Sequence, residues 1–299
     1  MKHFLKLAGF SLKDASWILD RAVEYKARRF FHHEGILKDQ TWALLFSKPS
    51  TRTRLSFEVA VRELGGQTIF MSAQEIQMGR GEPVKDTARV FGRMAHGAII
   101  RTFAQQDVED FAKFGELPTI NGLTDDEHPC QILADIMTFV EKEGPIQGRK
   151  VVFIGDAACN VARSWVYAAE IFDFELVCAA PEGFEPGVTN KHTCVVRDPL
   201  KAAANADLLY TDVWVSMGKE EEAAQRIKAF EGYQINDELL KKASPNALVL
   251  HCLPAYRGKE ITEKVLEDRA EDIFDQAENR LHVQKAILHW CTQTNLESK

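Results

Sequence analysis

Closely spaced cysteine pairs are missing from this sequence, although it contains six cysteines among 299 residues. No two of them form a C-x-x-C pair, and they are scattered along the chain: Cys130, Cys159, Cys178, Cys194, Cys252 and Cys291. This spacing fits neither a zinc site built from cysteine pairs nor the disulfide framework of a small secreted domain. We therefore expect free thiols in a reducing compartment.

Long apolar runs are also missing. No stretch approaches the roughly 18 consecutive apolar residues that a membrane-spanning helix needs, and the start of the chain, Met1–Lys6, has too short an apolar stretch for a signal peptide. The formal net charge of -7 argues against a general nucleic-acid or membrane-surface binder. We expect a cytoplasmic protein that has no nucleic-acid or membrane partner.

The glycine motifs of nucleotide-binding folds are absent as well. Residues 151–156, Val-Val-Phe-Ile-Gly-Asp, are similar to the strand that opens a dinucleotide-binding fold. The residues that follow are Ala-Ala-Cys-Asn-Val-Ala rather than G-x-G-x-x-G, which excludes a nicotinamide cofactor, and no Walker A motif occurs. Asn160 in this segment either holds a carboxylate or amide of a ligand or caps the helix that follows.

The pentad Ser50-Thr51-Arg52-Thr53-Arg54 packs three hydroxyls and two guanidiniums into five residues. An apolar run that predicts a buried strand precedes it, and a segment with apolar residues at helical spacing follows. The pentad therefore lies at a helix N-terminus, which favours an anion, and arginines can donate in pairs to phosphate oxygens. A helix cap would account for only one of the three hydroxyls. We therefore interpret the pentad as a phosphate site rather than as a capped helix with solvated arginines.

Apolar runs alternate with helical patterns along most of the chain, which predicts an α/β protein with parallel sheets covered by helices on both faces. The predicted strands are 41–46, 67–71, 97–103, 118–120, 150–154, 175–179, 207–211 and 247–251. Helices are predicted over about 130–142 and over 278–292. The charged region 218–232 lacks a clear apolar face and is either a mobile loop or an exposed helix.

The length of 299 residues suggests about two domains. Glycine and proline in residues 143–148 mark a hinge between them. We expect two doubly wound parallel-sheet domains, 1–143 and 144–299, with the active site in the cleft between them and the last helix docked back on the first domain.

Polar side chains follow the predicted strands in both halves. In the first half, Arg101 ends an apolar run, and His128 and Gln131 flank Pro129, which suits the first turn of a helix. A histidine near a helix N-terminus tends to stay neutral because the dipole disfavours further positive charge, and a neutral imidazole can donate to a carbonyl oxygen. The alternative is a helix-entry histidine beside a solvated glutamine.

In the second half, Asp212 and Ser216 follow one apolar run, and His251 and Cys252 end another. Both clusters fall at the carboxyl ends of predicted strands, where open α/β sheets bind ligands. Taken alone, Cys252 is typical of a small buried hydrophobic residue. The convergence of several such strand ends favours a functional role.

Four motifs, in the same order along nearly the whole length, resemble the aspartate/ornithine carbamoyltransferase family. They are Phe46-Ser-Lys-Pro-Ser-Thr-Arg-Thr-Arg54, His128-Pro-Cys-Gln131, Asp212-Val-Trp-Val-Ser-Met-Gly218 and His251-Cys-Leu-Pro254. Lys48 within the first motif is usual in the ornithine branch of the family, where the aspartate branch usually has glutamate. The resemblance implies transfer of the carbamoyl group of carbamoyl phosphate to the δ-amine of ornithine, which gives citrulline and phosphate in arginine biosynthesis or, in reverse, in arginine breakdown.

The resemblance also implies roles for individual residues. Carbamoyl phosphate would be bound by Ser50, Thr51, Arg52, Thr53, Gln77, Arg101, His128, Gln131, Cys252, Leu253 and Arg280. Ornithine would be bound by Asn160, Asp212, Ser216 and Met217, and the catalytic groups would be Arg101, His128, Asp212 and Cys252. Gln77 would reach in from a neighbouring subunit, which implies a trimer or a multiple of one. No metal and no organic cofactor is expected.

Small departures from the family pattern and other acceptors bear on this assignment. Cys159 precedes Asn160 where the family often has two asparagines, which affects how the substrate carboxylate is held. Lys219 and Tyr256 also stand where other residues are common. Aspartate, putrescine and an acylated ornithine are alternative acceptors, although Asp212 and the S-M-G sequence favour a free amino acid with a cationic tail.

A protein of another class, a catalytically inactive relative serving as a regulatory or interaction subunit, is the remaining alternative. Such a relative would have lost the arginine or histidine residues of the site. The sequence keeps Arg52, Arg101, His128, Cys252 and Arg280, which favours an enzyme.

Overall fold

The computed structural model describes residues 1–29, 35–72, 81–215 and 220–293. The chain divides into two units: Met1–Leu133 with the chain from Glu278 onward, and Ala134–Ala277. Each unit contains one sheet in which every named strand pairs in parallel with its neighbours. The predicted α/β architecture with parallel sheets is therefore confirmed.

The sheet of the first unit has the strand order β2-β1-β3-β4. Its strands are β1 (Thr41–Phe46), β2 (Gln67–Ser72), β3 (Gly97–Arg101) and β4 (Thr119–Leu123), and the helices of this part of the chain are α1 (Leu12–Ala27), α2 (Thr51–Glu63), α3 (Val84–Met94) and α4 (Gln105–Gly115). The strand order reverses between β1 and β3. Doubly wound sheets bind ligands at such a switch point, beyond the carboxyl ends of the strands.

The sheet of the second unit has the order β7-β6-β5-β8-β9 and reverses between β5 and β8. Its strands are β5 (Lys150–Ile154), β6 (Glu175–Ala179), β7 (Thr193–Val196), β8 (Leu208–Thr211) and β9 (Leu248–His251). The remaining helices are α5 (Pro129–Glu143), α6 (Asn160–Phe172), α7 (Pro199–Ala203), α8 (Ala223–Ala229), α9 (Asp237–Leu240), α10 (Glu263–Asp268) and α11 (Ala270–Thr292).

The strands that the sequence predicts best are those whose side chains are almost all buried. In β1 and β5 every residue after the first is buried, as expected for strands covered on both faces, and the predicted limits of β1, β5 and β6 agree with the structure. The edge strand β7 was not predicted, because none of its residues is fully buried and it lacks a continuous apolar signal.

Helices are predicted less completely. The last helix begins at Ala270, eight residues before the predicted start. The charged region contains the helix α8, which is mostly exposed and so agrees with one of the two alternatives stated for this region. Arg226 on this helix, however, is only 3% exposed. Among the helices of the described residues, none combines the length and the apolar character needed to cross a membrane.

Candidate active site

The pentad lies where β1 ends and α2 begins, and it follows the predicted geometry. Ser50 is the N-cap of α2, and its hydroxyl accepts from the Thr53 backbone N–H at 3.2 Å. Thr53 is buried at 1% exposure, whereas Thr51 is exposed and Arg52 partly exposed. One hydroxyl of the pentad therefore caps the helix, and the other two remain at its N-terminus, where the first backbone N–H groups and the helix dipole favour an anion.

A cavity of about 600 Å³ opens beside this helix start, and its lining includes Lys48, Ser50, Thr51 and Arg54. Arg54 stacks on the ring of Phe70 at 3.6 Å. The lining contains both cationic and hydroxyl groups, which is the chemistry that a small anion needs.

Arg280, from the last helix, contacts the pentad directly. One of its terminal guanidinium nitrogens donates to the Thr53 hydroxyl at 2.8 Å, and Arg280 is only 2% exposed. In the next turn of the same helix, the Lys285 ammonium donates to Glu63 at the end of α2 at 3.1 Å. The sequence separates Arg280 from Thr53 by 227 positions, and the fold places them in contact.

Arg101 and His128 lie at neighbouring points of the same sheet edge. Arg101 is the last residue of β3 and pairs in register with Phe46, the last residue of β1. The Ser47 backbone N–H donates to the Arg101 carbonyl at 2.7 Å. His128 immediately precedes α5, which begins at Pro129 as predicted, and His128 and Gln131 are both buried.

The electrostatics of His128 show that three arginines converge on it. Burial lowers the pKa of His128 well below its ordinary value of 6.5, and the positive charges of Arg280, Arg101 and Arg52 lower it further, in that order. The imidazole is therefore neutral at neutral pH and can donate a hydrogen bond without carrying charge. The structure thus brings together four predicted residues from four separate segments of the chain.

Lys48 ties together the loops that carry these groups. Its ammonium donates to Asp125, in the loop between β4 and His128, and lies 4.2 Å from the centre of the Phe103 ring, two residues after Arg101. The Asp125 backbone N–H donates to the Phe103 carbonyl at 2.8 Å. Lys48, which is 7% exposed, therefore supports the site through its neighbours.

In the second unit, Asp212 and Cys252 form a direct pair. Asp212 follows β8, Cys252 follows β9, and Thr211 pairs in register with His251. The Cys252 thiol donates to a carboxylate oxygen of Asp212 at 3.0 Å, and the Val213 backbone N–H donates to the same oxygen at 2.7 Å. Parallel strands that end together bring the two side chains into contact.

The pKa shifts of this pair define its protonation state. Burial, then the charge and hydrogen bond of Asp212, raise the pKa of the Cys252 thiol well above its ordinary value of 9.0. Burial is also the largest cause that raises the pKa of Asp212, although the residue keeps some exposed surface and the hydrogen bonds from Cys252 and Val213 oppose the shift. The thiol is therefore neutral at neutral pH, and the Asp212 carboxylate is a stronger base than that of an ordinary aspartate.

Sequence reasoning missed Glu260, a buried acid that contacts His251 next to this pair. A Glu260 carboxylate oxygen lies 3.2 Å from Nε2 of His251 and accepts from the Tyr256 backbone N–H at 2.5 Å. Because Nδ1 of His251 accepts from the Leu253 backbone N–H at 2.8 Å, the proton of a neutral ring must be on Nε2 and point to Glu260. Glu260 lies in a polar stretch without a recognisable pattern, so only its complete burial identifies it.

The hydrogen bond from Leu253 to His251 also holds the backbone beside Cys252 in an unusual conformation. Leu253 has a φ of 59°, a left-handed backbone conformation that costs energy for a branched residue and persists only where its surroundings enforce it. The hydrogen bond from its N–H to His251 is one such constraint. The backbone of Leu253 is therefore held in place by His251.

Asn160 and Cys159 lie at the start of α6, after β5. Asn160 is the first helical residue, and Cys159 is the N-cap, whose sulfur accepts from the Ala162 backbone N–H at 3.4 Å. Asn160 is therefore not the cap, so the capping alternative is wrong, and the ligand-binding alternative stays a prediction. The weak sulfur cap occupies the position where the family often has a further asparagine.

Three predicted site residues, Gln77, Ser216 and Met217, lie outside the described residues. Among the residues that the structure describes, Asp212, His251 and Cys252 bring possible metal-ligating atoms within 4.8 Å of one another. Both ring nitrogens of His251 are already engaged, with Leu253 and Glu260. A metal ion would have to break one of these contacts to use the imidazole.

Two family models match most of the chain. Residues 2–141 match the family model "Aspartate/ornithine carbamoyltransferase, carbamoyl-P binding domain", and residues 147–291 match the model of the "Asp/Orn binding domain". An ornithine carbamoyltransferase of Akkermansia muciniphila is 51% identical over 95% of this chain and 94% of its own. The anabolic enzyme of Pseudomonas aeruginosa is 48% identical over 96% of both chains.

Solved structures show the same fold. The ornithine carbamoyltransferase of Pyrococcus furiosus has a TM-score of 0.89 at 43% identity and covers 96% of both chains. The anabolic enzyme of Campylobacter jejuni has a TM-score of 0.90 at 38% identity, over 97% of this chain and 99% of that one. The two family models together with these identities show that the chain belongs to the aspartate/ornithine carbamoyltransferase family.

Proposed function

We propose that this protein transfers the carbamoyl group of carbamoyl phosphate to the δ-amine of L-ornithine, which yields L-citrulline and phosphate. The observation that carries the proposal is the convergence of Arg52, Arg101 and Arg280 on the buried, neutral His128. Three guanidiniums match a phosphate dianion, and a neutral donor matches a carbonyl oxygen. The family match and the relatives named ornithine carbamoyltransferase support the same reaction.

Carbamoyl phosphate is assigned to the first unit. Its phosphate is held by the N-terminus of α2 and by the surrounding arginines, with these residues as ligands: Ser50, Thr51, Arg52, Thr53, Arg101 and Arg280. Its carbamoyl group is held by Arg101, His128 and Gln131. A tetrahedral intermediate places negative charge on the carbamoyl oxygen, and one well-placed donor typically contributes roughly 3–4 kcal/mol to its stabilisation.

Ornithine is assigned to the second unit, where Asp212 and Cys252 act on its amine. The free δ-amine resembles a lysine amine with a pKa of about 10.4, so reaching the neutral form at pH 7 costs roughly 4–5 kcal/mol. We assign proton acceptance to Asp212 through the thiol. A proton from the ammonium group passes to the Cys252 sulfur as the thiol proton passes to the carboxylate. The raised pKa of Asp212 favours this transfer, and no thiolate accumulates.

The α-amino and α-carboxylate groups of ornithine are assigned to Asn160, Asp212, Ser216 and Met217. The position of Asn160 in the first turn of α6 supports a contact with the carboxylate, because helix N-termini favour negative charge. We propose that Cys252 and Leu253 lie beside the carbamoyl carbon of bound carbamoyl phosphate.

We also propose domain roles: residues 1–143 bind carbamoyl phosphate, residues 144–299 bind ornithine, and the last helix, about 278–292, docks back on the first domain. The family models for the two binding functions match closely similar ranges, which supports this division. A cytoplasmic, reducing location is proposed because all six cysteines are free.

We further propose a trimer, or a multiple of trimers, in which Gln77 of one chain completes the carbamoyl phosphate site of another. Variants Gln77→Ala and Arg52→Ala, each inactive alone, should regain activity when they are unfolded and refolded together, because mixed trimers contain some sites with neither change. Light scattering should show a particle of three chains or a multiple. A monomer, or no recovery in the mixture, would contradict shared sites.

The reaction is tested by a citrulline colour assay with carbamoyl phosphate and four separate acceptors: ornithine, putrescine, N-acetylornithine and aspartate, with ureido products of the last three measured by mass spectrometry. We expect turnover with ornithine and at least 100-fold less with each other acceptor. Turnover of another acceptor without turnover of ornithine would refute the specificity, and no product with any acceptor would refute the enzyme assignment.

A further inference from the structure

We propose that Arg226 is a positioning residue for ornithine: its guanidinium fixes the loop after β8, which carries Asp212, against the loop after β5, which leads to Asn160. This inference rests on the proposed function, because it concerns the residues assigned to ornithine. Arg226 lies on α8, in the charged region without a clear apolar face, and none of the sequence motifs includes it.

Arg226 makes a separate polar contact to each of the two loops. Its Nε donates to the backbone carbonyl of Trp214 at 2.6 Å, and a terminal nitrogen donates to the carboxylate of Asp156. The side chains of Arg226 and Asp156 are both only 4% exposed. A buried ion pair is held strongly only when both charges are also hydrogen-bonded, and the Trp214 carbonyl supplies that further partner.

The contact between Arg226 and Trp214 restricts the position of Asp212. Trp214 is two residues after Asp212, and the backbone N–H of Val213, between them, donates to the Asp212 carboxylate at 2.7 Å. The indole ring of Trp214 stacks on Phe230 at 5.8 Å with an angle of 20° between the planes. Backbone and ring of Trp214 are thus both anchored, and the short span back to Asp212 leaves its carboxylate little freedom.

The contact with Asp156 bears on Asn160 in the same way. One Asp156 oxygen accepts from Arg226, while the other accepts from the Ala158 backbone N–H at 3.1 Å. The Asp156 backbone carbonyl accepts from Cys159 at 3.3 Å. The turn that delivers Asn160 to the first position of α6 is therefore held by the carboxylate that Arg226 neutralises.

The two loops leave adjacent strands at the switch point of the sheet. Ile154, the last residue of β5, pairs with Thr211, the last residue of β8. Gly155 then has a φ of +124°, which favours glycine, and a Cβ at this position would lie 3.6 Å from the Trp214 ring. The two loops therefore start side by side at these paired strand ends, and one guanidinium contacts both.

Only arginine meets these requirements. Its planar fork presents several N–H donors in fixed directions, whereas a lysine ammonium is a single point of charge. The guanidinium also lies 4.9 Å from the centre of the Phe184 ring and 5.6 Å from that of Phe230, where aromatic faces favour a planar cation. Lysine at this position would keep a charge for Asp156 and lose the contact with Trp214.

The test compares steady-state kinetics of the intact protein with those of two variants. Arg226→Lys keeps the positive charge beside Asp156 and removes the fixed fork. The double variant Arg226→Met with Asp156→Asn removes both buried charges together, so that neither is left unpaired. It provides the test if the lysine variant does not fold. For each folded variant we expect KM for ornithine to rise at least 10-fold and KM for carbamoyl phosphate to change less than 2-fold.

Arg149 provides the matched control. It lies in the same unit at the opposite, amino ends of the strands, where it donates to the carboxylate of Asp207 and to the backbone carbonyls of Glu143 and Pro145. Arg149→Lys therefore removes a similar set of contacts away from the ornithine residues. We expect KM for ornithine within 2-fold of the unmodified value, even where the melting temperature falls.

The outcomes separate the two claims. An unmodified protein that forms no citrulline overturns the proposed function and this inference with it. An active unmodified protein with an unchanged KM for ornithine in a folded Arg226 variant overturns the inference alone, as does an equal rise in KM in Arg149→Lys. A rise confined to ornithine and to the Arg226 variants supports it.

Discussion

The contact between Arg280 and Thr53 can be tested by Thr53→Val, which removes one hydroxyl and leaves the shape of the side chain almost unchanged. The hydroxyl accepts a 2.8 Å hydrogen bond from a guanidinium that is 2% exposed. A hydrogen bond to a charged group contributes about 1.5–3 kcal/mol. The same hydroxyl is assigned to the phosphate, so its removal costs more in the bound state than in the free protein. With a difference of about 2 kcal/mol, the affinity for carbamoyl phosphate falls about 30-fold, since about 1.4 kcal/mol corresponds to tenfold.

The effect is measured as protection of the fold in thermal melts. Ligand at about 100 times its Kd stabilises the unmodified protein by about 2.7 kcal/mol, and the same concentration stabilises a variant with 30-fold weaker binding by about 0.9 kcal/mol. With about 2.1 cal/mol/K of unfolding entropy per residue, the 299 residues give about 0.6 kcal/mol/K. The shift in melting temperature should therefore fall from about 4 °C to about 1.5 °C.

Ser56→Ala is the matched control for Thr53→Val. Ser56 lies one turn further along α2, and its hydroxyl donates to the carbonyls of Arg52 and Thr53. It has no proposed contact with substrate, so protection by carbamoyl phosphate should stay near 4 °C in this variant. If Thr53→Val retained full protection, the Arg280–Thr53 contact would have no part in binding the phosphate and the reasoning would be refuted.

Three further predictions concern the titratable groups. Glu260→Gln replaces the carboxylate oxygen that accepts from Nε2 of His251 with an amide oxygen, and kcat/KM for ornithine should fall about 10-fold, the effect of weakening one hydrogen bond that orients the ring; an unchanged value would exclude a positioning role. Cys252→Ser should lower kcat without moving the pH–rate profile between about pH 6.5 and 9. The reason is that the thiol has a strongly raised pKa and stays protonated over this range. An inflection of the profile that is present only in the unmodified protein would show that a thiolate is formed. His128→Gln should lose less stability than the unmodified protein when the pH falls from about 7 to 5. A histidine whose folded pKa lies below 6.5 contributes stability above that pH and loses it as the pH falls, and glutamine does not titrate. Equal losses in melting temperature for the two proteins would contradict the depressed pKa.

The buried strands and the helix start at the pentad could be predicted because local sequence specifies them. A strand covered on both faces requires a continuous apolar run, as in β1, and a helix N-terminus requires a cap, as Ser50 provides. The exposed edge strand β7 has no such requirement, and its sequence carries no clear signal. The eight residues before Glu278 in the last helix escaped prediction for a similar reason, since they form no separate motif.

The amino-acid sequence by itself determined the parallel α/β alternation, the helix start at Ser50–Arg54 and the family, because these depend on local periodicity and on short runs of residues. Only the tertiary structure decided which partners these residues have. Thr53 meets Arg280 from 227 positions away, Cys252 meets Asp212, and Arg226 joins two loops from a region without a clear pattern. Such contacts depend on strand order and on where parallel strands end, and burial then sets the pKa values that give the side chains their chemistry.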